Sequence, residues 1–189
     1  MFGLLESALH KPFGALVLVV GPSGVGKDTL IALAKEQLSE QDFHFPFRHI
    51  TRPKDSGGED HKAVSQHEFS KLQSDDAFIL NWFAHDLHYG ISNSILDHLR
   101  FGKTVVVNVS RTVIEEAQNI LPNVKVISIS ASRETLLERL NNRGRETSDD
   151  VERRLNRVAN YKVSGDNIHT IKNDGSLAQS LEEFMELLR

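Results

Sequence analysis

The chain has 189 residues, enough for one domain or one core with a small inserted lobe, and its 39% hydrophobic and 25% charged residues are the proportions of a soluble globular protein. A formal net charge of −4 argues against broad nucleic-acid binding, and the absence of cysteine excludes a disulfide framework and thiolate metal sites. No run approaches membrane-spanning length, and the N-terminus lacks a basic region followed by a long apolar stretch, so the expectation is a cytoplasmic enzyme with no membrane partner.

Residues 1–14 read as a loosely held lead-in. Ala15 to Val20 is apolar on both faces, as a buried parallel strand is, and runs directly into Gly21-Pro22-Ser23-Gly24-Val25-Gly26-Lys27-Asp28-Thr29. Leu30 to Leu38 carries a helical apolar stripe, and Phe47 to Ile50 reads as a second short strand. Lys54 to His61 is a polar, glycine-containing loop. Ser65 to Leu72 predicts a helix opened by a capping box between Ser65 and Glu68. Phe78 to Ala84 predicts a strand, with Trp82 and Phe83 both read as core, and Ser92 to Arg100 a helix stopped by Gly102. Thr104 to Val109 and Val124 to Ser130 predict buried strands, separated by a helix over 111–121. A helix over 133–142, a polar break at 143–148, a helix over 149–161, a strand over 167–171 and a closing amphipathic helix over 177–188 complete the chain. Strands alternating with helices imply an α/β fold on a parallel core sheet with right-handed crossovers. The expected organisation is a single domain with its core in 15–50, 101–142 and 162–189. Residues 51–100 depart from the alternation as an insertion, and 143–161 form an arginine-rich lid region.

The segment 21–29 has the strand, glycine turn and helix that a phosphate-binding loop requires. Gly21, Gly24 and Gly26 let successive N–H groups point inward at an anion. The helix start adds the positive end of its dipole, and Lys27 adds a point charge for the β- and γ-phosphates. The usual pattern has Ser or Thr directly after the lysine to ligate Mg²⁺; here Asp28 takes that place and Thr29 follows. Both are candidate metal ligands.

Cations elsewhere indicate what is done with the nucleotide. Arg48 and Arg52 bracket the end of the second strand, where ligands bind in open α/β sheets, and arginine suits bidentate phosphate recognition. Arg139, Arg143 and Arg145, followed by Arg153, Arg154 and Arg157, have the pattern of a lid that neutralises charge on a moving phosphoryl group and excludes water. His85-x₂-His88 reads as surface or substrate-contacting histidine in preference to a metal site.

In order, Gly21 to Lys27, Arg48-His-Ile-Thr-Arg52, Tyr89-Gly-Ile-Ser92 and Arg139-Leu-Asn-Asn-Arg-Gly144 with Arg153-Arg154-Leu155 resemble the guanylate-kinase-like P-loop kinases over nearly the whole chain. The resemblance implies a nucleoside-monophosphate-kinase-like three-layer sandwich with a parallel core sheet, an acceptor-binding insertion and an arginine-rich lid. It implies ATP and Mg²⁺ as cofactors and the 21–29 segment with Arg139 and Arg145 at the nucleotide. Lys27, Arg143 and Arg154 would act on the transferring group, with Arg48, Arg52 and Tyr89 on the acceptor phosphate.

Two departures matter. Guanylate kinases read guanine with acidic groups, and the matching positions here are near Leu80 and at Ser110, neither acidic. In their place stand Arg111, His61, His85 and His88, which suit an acceptor with a second phosphate and no base. The phrases Gly-Lys-Asp-Thr, Ile-Thr-Arg-Pro, Gly-Glu-Asp-His, Ala-His-Asp-Leu-His-Tyr-Gly-Ile, Val-Asn-Val-Ser-Arg and Arg-Gly-Arg-Glu resemble one branch of the family. That branch comprises the ATP-dependent kinases of ribose 1,5-bisphosphate associated with phosphonate breakdown. This resemblance implies formation of 5-phosphoribosyl 1-diphosphate and ADP, with His61, Ser110 and Arg111 as further substrate-binding candidates. A guanylate kinase with unusual base recognition and a catalytically inactive interaction module are the competing readings. The oligomeric state is not fixed by the sequence, which leaves room for a homodimer.

Overall fold

The computed structural model describes residues 12–54, 60–143, 163 and 167–189, with side chains of the helix ending at Arg143 described through Arg139. Strands β1 (Leu16–Val20), β2 (Phe43–His44), β7 (Thr104–Asn108), β8 (Val124–Ser130) and β9 (Ile168–Lys172) form a core sheet in the order β2-β7-β1-β8-β9. The pairs β2–β7 and β8–β9 are parallel, with Phe43 opposite Thr104 and Val126 opposite Ile168. A second sheet has the order β4-β3-β6-β5, from β3 (His49–Ile50), β4 (Lys62–Ala63), β5 (Phe78–Ala84) and β6 (Leu87–Ser92). The helices are α1 (Lys27–Gln37), α2 (Gln66–Ser74), α3 (Ile95–Arg100), α4 (Ile114–Ile120), α5 (Arg133–Arg143) and α6 (Leu177–Leu188).

Two compact units are distinguished. One contains 17–38, 107–114 and 125–189, and so holds the glycine-rich loop, α1, β8, β9 and α6. Its interior is built by β1, buried along its whole length, with Leu30 and Ala34 of α1, Ile127 and Ile129 of β8, and Phe184 of α6. Val109 N–H donates to the Val19 carbonyl at 3.1 Å, which continues the β7 pairing past the strand's last residue. Helix α6 opens on a capping box between Ser176 and Gln179.

The other unit contains 1–16, 39–106 and 115–124, and so the second sheet. β5 and β6 form a hairpin whose two-residue turn, His85-Asp86, has φ of +53° and +60° at successive residues, the signature of a type I′ turn. The expected capping box is present: Ser65 Oγ accepts from Glu68 N–H at 3.2 Å and Glu68 Oε2 accepts from Ser65 N–H at 2.7 Å.

Three expectations are corrected here and one strand is added. The strand expected at 47–50 is His49–Ile50; it belongs to the second sheet, antiparallel to β6, and the core strand of this region is β2. The segment 87–92 is a strand, so the helix expected from Ser92 begins at Ile95. Lys62–Ala63, between the loop read over 54–61 and the helix read from Ser65 and given no assignment from the sequence, is a strand parallel to β3. Trp82 is buried as expected, but Phe83 is 61% exposed, because successive strand residues point to opposite faces.

His49 is buried in β3, edge-on to Phe78 at 5.2 Å, with Nδ1 lacking a hydrogen-bond partner. Burial, then the charge of Lys62, holds its pKa below the ordinary 6.5, against a raising contribution from a hydrogen bond to the Gly90 backbone. Below about 6.5 the unfolded chain therefore binds more protons than the folded one, and stability falls as pH drops. The melting temperature is expected to decline between pH 7 and 5, approximately, and to decline less in His49→Gln. Identical acid profiles for the two proteins would assign the loss to other groups.

Candidate active site

The candidate residues fall into two sets, each built within one unit. In the first, the loop 21–26 leaves β1 through three glycines with φ of +153°, +92° and +96° (Gly21, Gly24 and Gly26). A Cβ on Gly26 would lie 2.5 Å from Asn173 Nδ2, and one on Gly21 would lie 2.3 Å from the Ile129 carbonyl oxygen. Both positions therefore require glycine on conformation and on space. Asn173, buried just past β9, donates from Nδ2 to the Val25 carbonyl at 2.7 Å. Arg139 Nη2 in turn donates to the Asn173 carbonyl at 2.9 Å. The loop is thus braced from α5 and from the end of β9. Arg139, which the family resemblance puts at the nucleotide, has its guanidinium on the carbonyls of Asn173 and of Val25 in the loop. Asn173 was missed, since a polar residue after a strand reads as an ordinary turn.

Lys27 folds back across the loop, its Nζ donating to the carbonyls of Gly21 at 2.7 Å and Pro22 at 2.9 Å. Helix α1 starts at that lysine with Gly26 as N-cap and no side-chain cap, so its first-turn N–H groups suit an anion. Asp28 and Thr29 are exposed in the first turn. Asn108 Nδ2, at the end of β7, donates to Asp28 Oδ1 at 2.6 Å. A carboxylate and a hydroxyl beside a phosphate loop are the hard oxygen donors that Mg²⁺ takes, so the donor set fits this metal.

Ser110 accepts from the Thr112 N–H at 3.3 Å and thereby caps the turn at 111–113, while Arg111 is exposed at its start. Leu80, near which the resemblance puts the other acid of guanylate kinases, is fully buried and paired with Ile91.

The second set lies on β5 and β6 and around β3. Trp82 and Tyr89 are cross-strand partners whose rings stack at 5.2 Å and 2°. The Arg48 guanidinium carbon lies 5.3 Å from the Tyr89 ring centroid. The Trp82 ring and the Arg48 guanidinium both pack against Tyr89. The β3–β6 pairing continues through Thr51, whose N–H donates to the His88 carbonyl at 3.1 Å and whose Oγ1 accepts from His88 N–H at 2.8 Å. That places Arg52 next in line. Arg52 Nη2 lies 3.2 Å from His61 Nδ1, and His61 Nε2 lies 3.1 Å from the Arg52 carbonyl. His85 is exposed in the hairpin turn, and His88 is half-buried between the rings of Phe69 and Phe83. Arg145, Arg153, Arg154 and Arg157 lie outside the described residues, as does the Arg143 side chain.

A braced glycine-rich loop with its lysine, on a parallel sheet, defines a P-loop nucleotide-binding fold. The guanylate kinase family model matches residues 14–189, and the chain belongs to that family. A guanylate kinase from Anaplasma phagocytophilum superposes with a TM-score of 0.70 at 18% identity, covering 95% of this chain and 86% of that one. In sequence, the chain is 42% identical over 176 residues to the ribose 1,5-bisphosphate phosphokinase PhnN of Agrobacterium fabrum, covering 92% of this chain and 96% of the relative. It is 37% identical over 178 residues to the protein of the same name from Brucella melitensis, covering 94% and 93%. The chain is an ATP-dependent phosphotransferase of this family. Among the described residues no helix is long and apolar enough to cross a membrane.

Proposed function

We propose that the chain transfers the γ-phosphoryl group of ATP to the C1 phosphate of ribose 1,5-bisphosphate, giving 5-phosphoribosyl 1-diphosphate and ADP. The observation that carries this reading is the 42% identity, across almost the full length of both chains, to a ribose 1,5-bisphosphate phosphokinase. The lack of acids near a buried leucine at 80 and at a turn-capping serine at 110, where the resemblance puts the guanine-reading groups, supports it. Neither offers a carboxylate to a base.

An oxygen of the C1 phosphate attacks the γ-phosphorus, and the bond from that phosphorus to the β-bridging oxygen breaks, leaving ADP. The attacking oxygen is already ionised, so no general base is required. What remains is positioning and neutralisation of charge. The 21–26 backbone and Lys27 hold the ATP phosphates. Asp28, oriented by Asn108, and Thr29 would hold Mg²⁺, which supplies charge neutralisation at the β- and γ-oxygens when bound. Arg48, Arg52 and Tyr89 hold one acceptor phosphate, and Arg111 is the candidate for the other. Arg143, Arg145 and Arg154 would close over the transferring group.

The function is tested by following the reaction by ³¹P NMR with Mg²⁺ATP and ribose 1,5-bisphosphate. Coupled diphosphate resonances of the sugar product should grow with those of ADP. Inorganic phosphate appearing in their place would mean hydrolysis and would overturn the proposal. For the metal set, Asp28→Ala is expected to shift the Mg²⁺ titration of activity about 10-fold upward, and Asn108→Ala to shift it less, since it removes only an orienting bond. An unchanged Mg²⁺ titration in Asp28→Ala would sink that assignment.

A further inference from the structure

His61 was expected among the phosphate ligands, but its surroundings assign it a different task. It is only 5% exposed and both ring nitrogens engage one residue. The Arg52 Nη2 is a donor without acceptor capacity, so His61 Nδ1 must accept; the Arg52 carbonyl can only accept, so His61 Nε2 must carry the proton. One species satisfies both bonds, the neutral Nε2–H tautomer. A protonated ring would lose the acceptor and set two cations side by side.

The local fold fixes this contact. Strand β4 has two residues, both exposed, and adds no core of its own. Its register is fixed by Lys62 N–H donating to the Arg48 carbonyl at 2.9 Å and Val64 N–H to the Ile50 carbonyl at 3.1 Å. What this pairing brings inside is the residue before the strand, His61. Arg52, two residues beyond β3, has its Nε buried without a hydrogen-bond partner, and among the described residues no carboxylate pairs with it. Arginines held in place are usually gripped by a carboxylate, which also cancels their charge. A neutral imidazole fixes the guanidinium and leaves its full positive charge for an anion.

We infer that His61 is a positioning residue that, in its Nε2–H tautomer, clamps Arg52 so that a guanidinium with no carboxylate partner among the described residues faces the acceptor phosphate. This rests on the proposed role of Arg52 in acceptor binding, and the test separates the two. Acceptor KM, ATP KM and kcat are measured for the parent, His61→Asn, His61→Phe, Arg52→Ala and Arg52→Ala with His61→Phe. Melting temperatures are measured for all five. Loss of a hydrogen bond to a charged group predicts an acceptor KM about 10-fold higher in His61→Phe, with ATP KM unchanged. In His61→Asn the amide oxygen can still accept from Arg52, so a smaller rise is expected. In the Arg52→Ala background His61→Phe should add nothing. An equal, additive rise in that background would make His61 a ligand in its own right and overturn the clamp, as would an acceptor KM insensitive to His61. If Arg52→Ala itself leaves acceptor KM unchanged, the acceptor reading of Arg52 fails, and the clamp is decided by long-range ¹H–¹⁵N spectra. These should show His61 protonated at Nε2 alone near neutral pH. A parent ring already averaging between tautomers would overturn the inference.

Discussion

Lys27→Ala is expected to lower kcat/KM by about 10²–10³-fold while moving the melting temperature by less than about 2 °C. The side chain is only half-buried, and its bonds to the Gly21 and Pro22 carbonyls sit at the loop's surface, so little packing is lost. Its charge, however, is delivered at the loop mouth, beside N–H groups of α1 that lack a side-chain cap. In phosphoryl transfer the negative charge spreads over the oxygens of the moving group, and a fixed cation there is worth more in the transition state than in the ground state. Lys27→Arg should not restore the rate, because a planar fork cannot take the place of a compact ammonium folded against two carbonyls. Full activity in Lys27→Ala would remove the loop from the chemistry and revive the reading of this chain as an interaction module.

Gly26→Ala should damage both folding and nucleotide binding. At φ +96° an alanine is strained, and its Cβ would fall 2.5 Å from Asn173 Nδ2. That atom cannot simply move away, since it makes the 2.7 Å bond to the Val25 carbonyl that braces the loop from β9. Backbone strain of about 1–2 kcal/mol and a compromised buried hydrogen bond of about 1–3 kcal/mol together predict a loss of roughly 3 kcal/mol, or a melting temperature lower by about 10 °C. ATP affinity should fall about 100-fold as the loop N–H groups are re-aimed. Asn173→Ala, which removes the obstacle and the brace together, should weaken ATP binding less. Differential scanning calorimetry with and without ATP reads both effects; an unaltered melting temperature in Gly26→Ala would contradict the geometry of the loop.

The phosphate loop was legible because its glycine spacing, lysine and flanking periodicities all point one way. The capping box at Ser65 and Glu68 was legible for the same reason. The second sheet was harder to read. β6, Leu-His-Tyr-Gly-Ile-Ser, is held by pairing with β3 and β5, and its hairpin turn uses His85-Asp86 where a glycine or asparagine would have announced it. β4 is too short to carry any pattern. Phe83 was misplaced although the pleat forbids adjacent residues from sharing a face, so a strict alternation from Trp82 would have put it outside. Asn108, Asn173 and the bracing of Arg139 are contacts between residues distant in sequence, and nothing local distinguishes them from turn polar residues. The His61–Arg52 pair spans nine residues, across the loop that the sequence read only as polar.

The most direct test of acceptor identity is ADP release with Mg²⁺ATP, comparing ribose 1,5-bisphosphate and GMP at equal concentration. With Leu80 and Ser110 unable to offer carboxylates to guanine, turnover is expected with the sugar bisphosphate and at least about 100-fold less with GMP. Turnover with GMP alone would contradict the proposed function and return the chain to guanylate kinase chemistry.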